Sequence, residues 1–134
     1  MADPSLEEVS ALMREATSIL FVAGAGVSAL PTYRGISGLY EGRETDEGLP
    51  IEVALSGAMF ARRPDISWRH IAEIERACRG AKPSAGHMAI AAVEARVPRT
   101  WVLTQNVDGL HRDAGSRNVI EIHGTVRRLI CTGC

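Results

Sequence analysis

The chain has 134 residues, an apolar fraction of 46% and a net charge of −1, which bounds it to one domain, or a piece of one, with enough apolar side chain for a packed core. A charge so near zero provides no global field for nucleic acid or an anionic membrane, and no apolar run approaches the roughly 20 residues of a membrane span. Three cysteines, two of them in Cys131-x-x-Cys134, indicate a reducing compartment, the cytoplasm, and metal or redox chemistry rather than a disulfide framework.

The N-terminal MADPSLEEVS lacks a signal peptide's basic and apolar regions. Ser5 and Glu8 fit a capping box, and Leu6, Val9, Leu12, Met13 and Ala16 repeat at helical spacing, so a first helix is expected to pack its apolar face on a sheet. The apolar run from Ile19 then ends in Gly24-Ala25-Gly26, with Ser28 following. Such a run reads as a buried parallel strand, and the two glycines permit a sharp turn and close approach of a ligand. A helix starting beside Ser28 would face its free N–H groups toward a pyrophosphate. Ala29 stands where a G-x-G-x-x-G pattern has its third glycine, so the stretch reads equally as a dinucleotide site or as a plain tight turn.

Residues 30–50 are rich in Gly and charge and read as a long loop, in which Arg34 could bind a phosphate bidentately or simply be solvated. Residues 51–60 and 65–79 read as two helices, the second placing Ile66, Ile71, Ile74 and Cys78 on one face, with Gly80 as its stop. His70, flanked by charge, is expected to be exposed. A further helix spans about 84–96, with His87 capping or packing in its first turn. A simple crossover does not need the some 75 residues between the first two strands, so part of them should form a separate helical layer.

The second strand, 100–104, runs into Gln105-Asn106-Val107-Asp108, and a third, 119–122, ends in His123-Gly124. In open α/β sheets ligands bind outside the carboxyl ends of the strands. Singly, Asn106 and Asp108 could be turn formers and His123 a strand terminator; at three strand ends together, Gln105, Asn106, Asp108 and His123 favour a site beside Gly24–Ser28.

GAGVS at 24–28, PTYRG at 31–35, TQNVDGLH at 104–111, AGS at 114–116, EIHG at 121–124 and CTGC at 131–134 stand in the order seen in sirtuins. The chain resembles that family, the NAD-dependent protein-lysine deacylases, nearly end to end; KPSAGH at 82–87 is similar to its K-P-N-x-x-H. The resemblance implies a Rossmann-like α/β fold. Residues 1–34 would be the first βα unit and cofactor loop, and 35–98 a loop and helical insertion. Residues 99–124 would be the strands carrying the nicotinamide site, and 125–134 the start of a zinc module. Gly24, Ala25 and Gly26 would cradle the NAD pyrophosphate with Ser28 opening the helix behind them. Pro31, Tyr33 and Arg34 would belong to the cofactor loop, and Gln105, Asn106 and Asp108 would bind nicotinamide and its ribose. His123 would be the general base, a task suited to imidazole with its ordinary pKa of about 6.5. Cys131 and Cys134 would be half of a structural Zn²⁺ site. The implied substrate is an acyl-lysine protein or peptide, with O-acyl-ADP-ribose, nicotinamide and free lysine as products. A non-catalytic NAD or ADP-ribose binding module is the alternative.

Two departures accompany the resemblance. The family reads G-A-G-x-S-A-x-S-G-I-P-T-F/Y-R, whereas here Leu30-Pro31 follows Ala29 at once. Three residues fewer should alter how Arg34 reaches the ligand, unless the molecule carries a further piece there. A tetrahedral structural zinc takes four protein ligands, and only the first Cys-x-x-Cys pair is present. The expectation is therefore roughly the first half of a catalytic domain, inactive and poorly folded by itself because half a parallel sheet has an unpaired edge.

Overall fold

The computed structural model describes residues 5–28, 30, 44–131 and 133. Helix α1 (Leu6–Glu15) begins at the expected capping box, Glu8 N–H donating to Ser5 Oγ at 3.2 Å and Ser5 N–H to Glu8 Oε2 at 2.6 Å. Its apolar face is not buried on the sheet among the described residues: no residue of α1 is buried, and Leu6 and Leu12 are exposed. Amphipathic spacing specifies that a face is to be covered, not by what.

Strands β1 (Ile19–Ala23), β2 (Thr100–Thr104) and β3 (Val119–Glu121) form a parallel sheet in the order β1-β2-β3. Ala23 lies beside Thr104 and Thr104 beside Glu121, so all three strands end level with one another. This register delivers Gly24, Gln105 and Ile122 to one edge of the sheet. Side chains alternate between faces along each strand. Thr100, Val102 and Thr104 of β2 are buried on one face, whereas Leu20, Val22, Trp101 and Ile120 remain between 45% and 72% exposed on the other. Parallel sheets are ordinarily covered on both faces; within the described residues only one is covered.

After α2 (Ala25–Ser28), the expected helix over 51–60 is two helices, α3 (Ile51–Ala54) and α4 (Gly57–Arg62). Ser56 makes the break, donating to Val53 O at 2.8 Å to close the first and accepting from Met59 N–H at 3.2 Å to cap the second. Helix α5 (Pro64–Cys78) has proline in its first turn, where the missing N–H costs no helical bond, and Gly80 beyond its end adopts φ +76°. Ile51, Ala54 and Ile66 form a small core with Leu55 and Met59, so α3, α4 and α5 make a helical layer of their own. His70 on α5 is buried, not exposed: its Nε2 lies 3.5 Å from Glu47 and its Nδ1 3.4 Å from Glu73. Glu47 comes from a turn that folds back over α5 and also pairs with Arg69, a contact that charge flanking His70 does not disclose.

Helix α6 (Ala85–Arg96) packs against β2 and against α7 (Leu110–Asp113). Its buried Glu94 accepts from the backbone N–H groups of Arg117 and Asn118 at 3.0–3.1 Å, holding the start of β3. Gly109, before α7, has φ +74°, a left-handed backbone that selects glycine, and a Cβ there would stand 2.9 Å from Arg127 Nε, so the arginine side chain would have to shift.

Candidate functional site

The level strand ends bring Gly24, Ser28, Asn106 and Asp108 into one hydrogen-bond network. Asn106 Nδ2 donates to Gly24 O at 3.0 Å and to Ser28 Oγ at 2.8 Å. Ser28 Oγ in turn donates to Asp108 Oδ2 at 2.6 Å, and Asp108 Oδ1 accepts from Leu110 N–H at 2.9 Å. A carbonyl accepts only, so the bond to Gly24 O fixes the Asn106 amide with its oxygen turned to the remaining side, available to accept. The direction of the whole chain follows: amide to hydroxyl to carboxylate. Ser28 and Asp108 are both buried, which makes each bond in the network costly to lose.

The network borders a cavity of about 620 Å³ whose lining includes Ala25, Ser28, Gln105, Asn106, Asp108 and His123. His123 enters it from the end of β3 and is itself exposed. Gly24 contributes its carbonyl, and a Cβ on Gly24 or Gly26 would meet nothing within 4 Å, so backbone there is open to close approach. Ser28 does not open α2. It lies at position 28 of Ala25–Ser28 with its hydroxyl committed to Asp108, because the stronger acceptor is the buried carboxylate.

Pro31, Tyr33, Arg34 and Cys134 lie outside the described residues. Cys131 is exposed and is not part of the cavity wall. Among the described residues no three His, Cys, Asp or Glu side chains gather to hold a metal, so they do not themselves compose a zinc site. No described helix is long and apolar enough to cross a membrane.

Behind the network lies a pair of imidazoles whose packing spacing does not disclose. His87 caps α6 as expected, its Nδ1 accepting from Ser84 N–H at 3.1 Å, while Ser84 Oγ donates to Val27 O at 2.7 Å and ties α6 to α2. That bond places the His87 proton on Nε2. Its ring meets His111 edge to face, centroids 4.5 Å apart, and both rings are buried. Burial lowers both pKa values from the ordinary 6.5; the charge of His87 lowers that of His111 further, and Asp108 opposes the shift at both. An unfolded chain takes up protons at these residues from about pH 6.5 downward, the folded chain only at lower pH. Their contribution to stability is complete above pH 6.5 and is lost as pH falls through the folded-state values. The urea midpoint is expected to drop between pH 7.5 and 5.5, with a shallower slope in His87→Gln/His111→Gln; equal slopes would disprove the assignment.

The Sir2 family model matches residues 24–134. The chain belongs to the Sir2 family. These are the sirtuins whose motifs the sequence resembles. It is 53% identical over 131 residues to the NAD-dependent protein deacylase 2 of Pseudomonas aeruginosa, covering 94% of this chain and 51% of that protein. A solved Sir2 homologue in complex with NAD superposes with TM-score 0.80 at 33% identity, over 99% of this chain and 51% of its own. A Sir2 bound to acetylated peptide gives 0.70 at 27%, over 92% and 47%. The chain thus spans about half the length of these Sir2 relatives, and its fold is the Rossmann-like parallel α/β arrangement that the motifs imply.

Proposed function

We propose that the protein carrying these residues is an NAD-dependent protein-lysine deacylase that releases nicotinamide, free lysine and O-acyl-ADP-ribose. The observation that supports this best is the convergence of three strand ends on one cavity, with a directed Asn106–Ser28–Asp108 network on one side and His123 on another. The open backbone at Gly24 and Gly26 fits a pyrophosphate, and the outward Asn106 oxygen fits an amide donor such as nicotinamide. NAD, when bound, supplies the ribose carbon whose bond to nicotinamide breaks as the acyl-lysine oxygen bonds there. Ser28 and Asp108 hold Asn106 in the orientation that binds. Gln105 follows β2 at the same edge, its N–H donating to Ala23 O at 3.1 Å, so its side chain is positioned for the same ligand. His123, reached from the cavity, would take a proton from a ribose hydroxyl as that oxygen attacks the acyl carbon, the lysine amine then leaving and water supplying the remaining oxygen of O-acyl-ADP-ribose. Peptide substrate enters this reading by analogy with the Sir2 relative bound to acetylated peptide.

Cys131 and Cys134 are assigned to a structural zinc as two of its four ligands, with no part in the chemistry, and the free Cys78 thiol fits a cytoplasmic setting. The direct test is nicotinamide release from NAD by the purified protein with an acetyl-lysine peptide, zinc content being measured on the same sample. Peptide-dependent release together with O-acyl-ADP-ribose supports deacylation. Tight NAD binding without release from any of several acyl peptides would instead make it a binding module.

A further inference from the structure

The segment that leaves β3 carries His123 and then folds back on the turn that carries Asp108. Gly124, with φ +74°, makes the bend, its N–H donating to Glu121 O at 3.0 Å. Val126 N–H then donates to Val107 O at 3.1 Å, and Thr125 Oγ1 donates to the same carbonyl at 3.3 Å. His123 is exposed, so little packing restrains its ring, and its place is set by the backbone on either side.

Two sets of ion pairs fasten that backbone to α7. After His123, Arg127 Nη1 donates to Asp113 Oδ1 at 2.7 Å, and Nη2 lies 2.7 Å from Asp113 Oδ2. Both prongs of the guanidinium are used, which fixes its plane as well as its distance. Its stem crosses Gly109 so closely that a Cβ there would stand 2.9–3.1 Å from Nε, Cδ and Cζ. Before His123, the Glu121 side chain is 8% exposed and lies 3.5 Å from Arg112 Nε and 3.7 Å from Arg128 Nη2. Arg112 Nη2 also donates to Val119 O at 2.9 Å. Adjacent residues of α7 thus hold β3 through Arg112 and the returning segment through Asp113, with His123 between the two.

The Arg127–Asp113 pair adds little to the stability of the fold, because its side chains are 40% and 38% exposed and water screens them. A weak fastener can still set a geometry. A reacting group displaced by about 1 Å can cost about 100-fold in rate, so the pair's effect belongs in turnover rather than in unfolding.

We propose that Arg127, acting through Asp113, is a positioning residue for His123, tying the segment that carries the base to the helix that follows Asp108. The assignment rests on the deacylase reading and adds a residue to that site.

The experiment compares Arg127→Met with the wild-type protein in two reactions of one acetyl-lysine peptide at saturating NAD. Exchange of labelled nicotinamide into NAD needs only the first step and its reversal, in which the ribose–nicotinamide bond breaks and re-forms. Formation of O-acyl-ADP-ribose needs the proton transfer to His123 as well. Arg127→Met is expected to lower kcat for O-acyl-ADP-ribose by about tenfold or more, with exchange and the KM for NAD within about threefold of wild type. The urea midpoint should stay in place. Asp113→Asn/Arg127→Met should be no slower than Arg127→Met, because the two changes remove one interaction. The charge of Arg127 also acts on Asp108, and an effect by that route would appear in exchange. An undiminished rate of O-acyl-ADP-ribose formation, or equal losses in both reactions, would overturn the assignment. If the wild-type protein turns over no peptide, the deacylase reading itself fails, and amide hydrogen exchange decides whether Arg127 fastens the segment. The Gly124 and Val126 N–H groups should then exchange at least about tenfold faster in Arg127→Met, and equal rates would refute it.

Discussion

Replacing His123 with alanine is expected to lower peptide-dependent nicotinamide release and O-acyl-ADP-ribose formation by about 10²–10⁴-fold, the contribution of a well-placed general base. The same substitution should leave stability within about 0.5 kcal/mol, because an exposed side chain outside any buried network carries little of the fold. His123 meets that description: it is exposed, follows the last residues of β3, and projects into the cavity without supporting the core. NAD affinity should change little, since the groups assigned to the nicotinamide side are Gln105, Asn106 and Asp108. A catalytic loss accompanied by an equal fall in the urea midpoint would assign His123 to structure instead. Undiminished turnover in a folded His123→Ala protein would remove it from the chemistry altogether.

The strands and their polar ends were legible in sequence because both signals are local. A run such as Ile19–Ala23 followed by Gly24 needs no distant partner to be read, and the same holds for Thr100–Thr104 before Gln105. What local pattern cannot carry is the partner across the fold. The burial of His70 depends on Glu47 arriving from a separate turn, and the His87–His111 contact joins two helices whose sequences give no hint of each other. Ser28 illustrates the same limit more sharply. Its position after two glycines suggests a helix start, but a buried carboxylate 80 residues away captures its hydroxyl. The periodicity of α1 correctly announces a helix and leaves its covering element undetermined. Among the described residues Leu20, Val22, Trp101 and Ile120 are likewise uncovered, so only one face of the parallel sheet carries a layer there.

Asp108→Asn is expected to cost about 1.5–3 kcal/mol of stability, the range for a hydrogen bond to a charged group, and to weaken NAD binding by about tenfold or more. The reason lies in the direction of the network. If the new amide keeps its oxygen toward Leu110 N–H, its NH₂ confronts the Ser28 hydroxyl, which already accepts from Asn106. The hydroxyl then loses its acceptor, and Asn106, still oriented by Gly24 O, is held less firmly on its Ser28 side. Ser28→Ala breaks the chain at its middle and leaves both Asn106 Nδ2 and Asp108 Oδ2 short of a partner. The two substitutions remove one shared interaction, so the double variant should cost less than the sum of the singles, with a coupling of about 0.5–3 kcal/mol. Urea unfolding of the four proteins at pH 7.5 measures that term where the imidazole pair is neutral. Strict additivity would mean that Ser28 and Asp108 act independently and that the binding orientation of Asn106 is set by Gly24 alone.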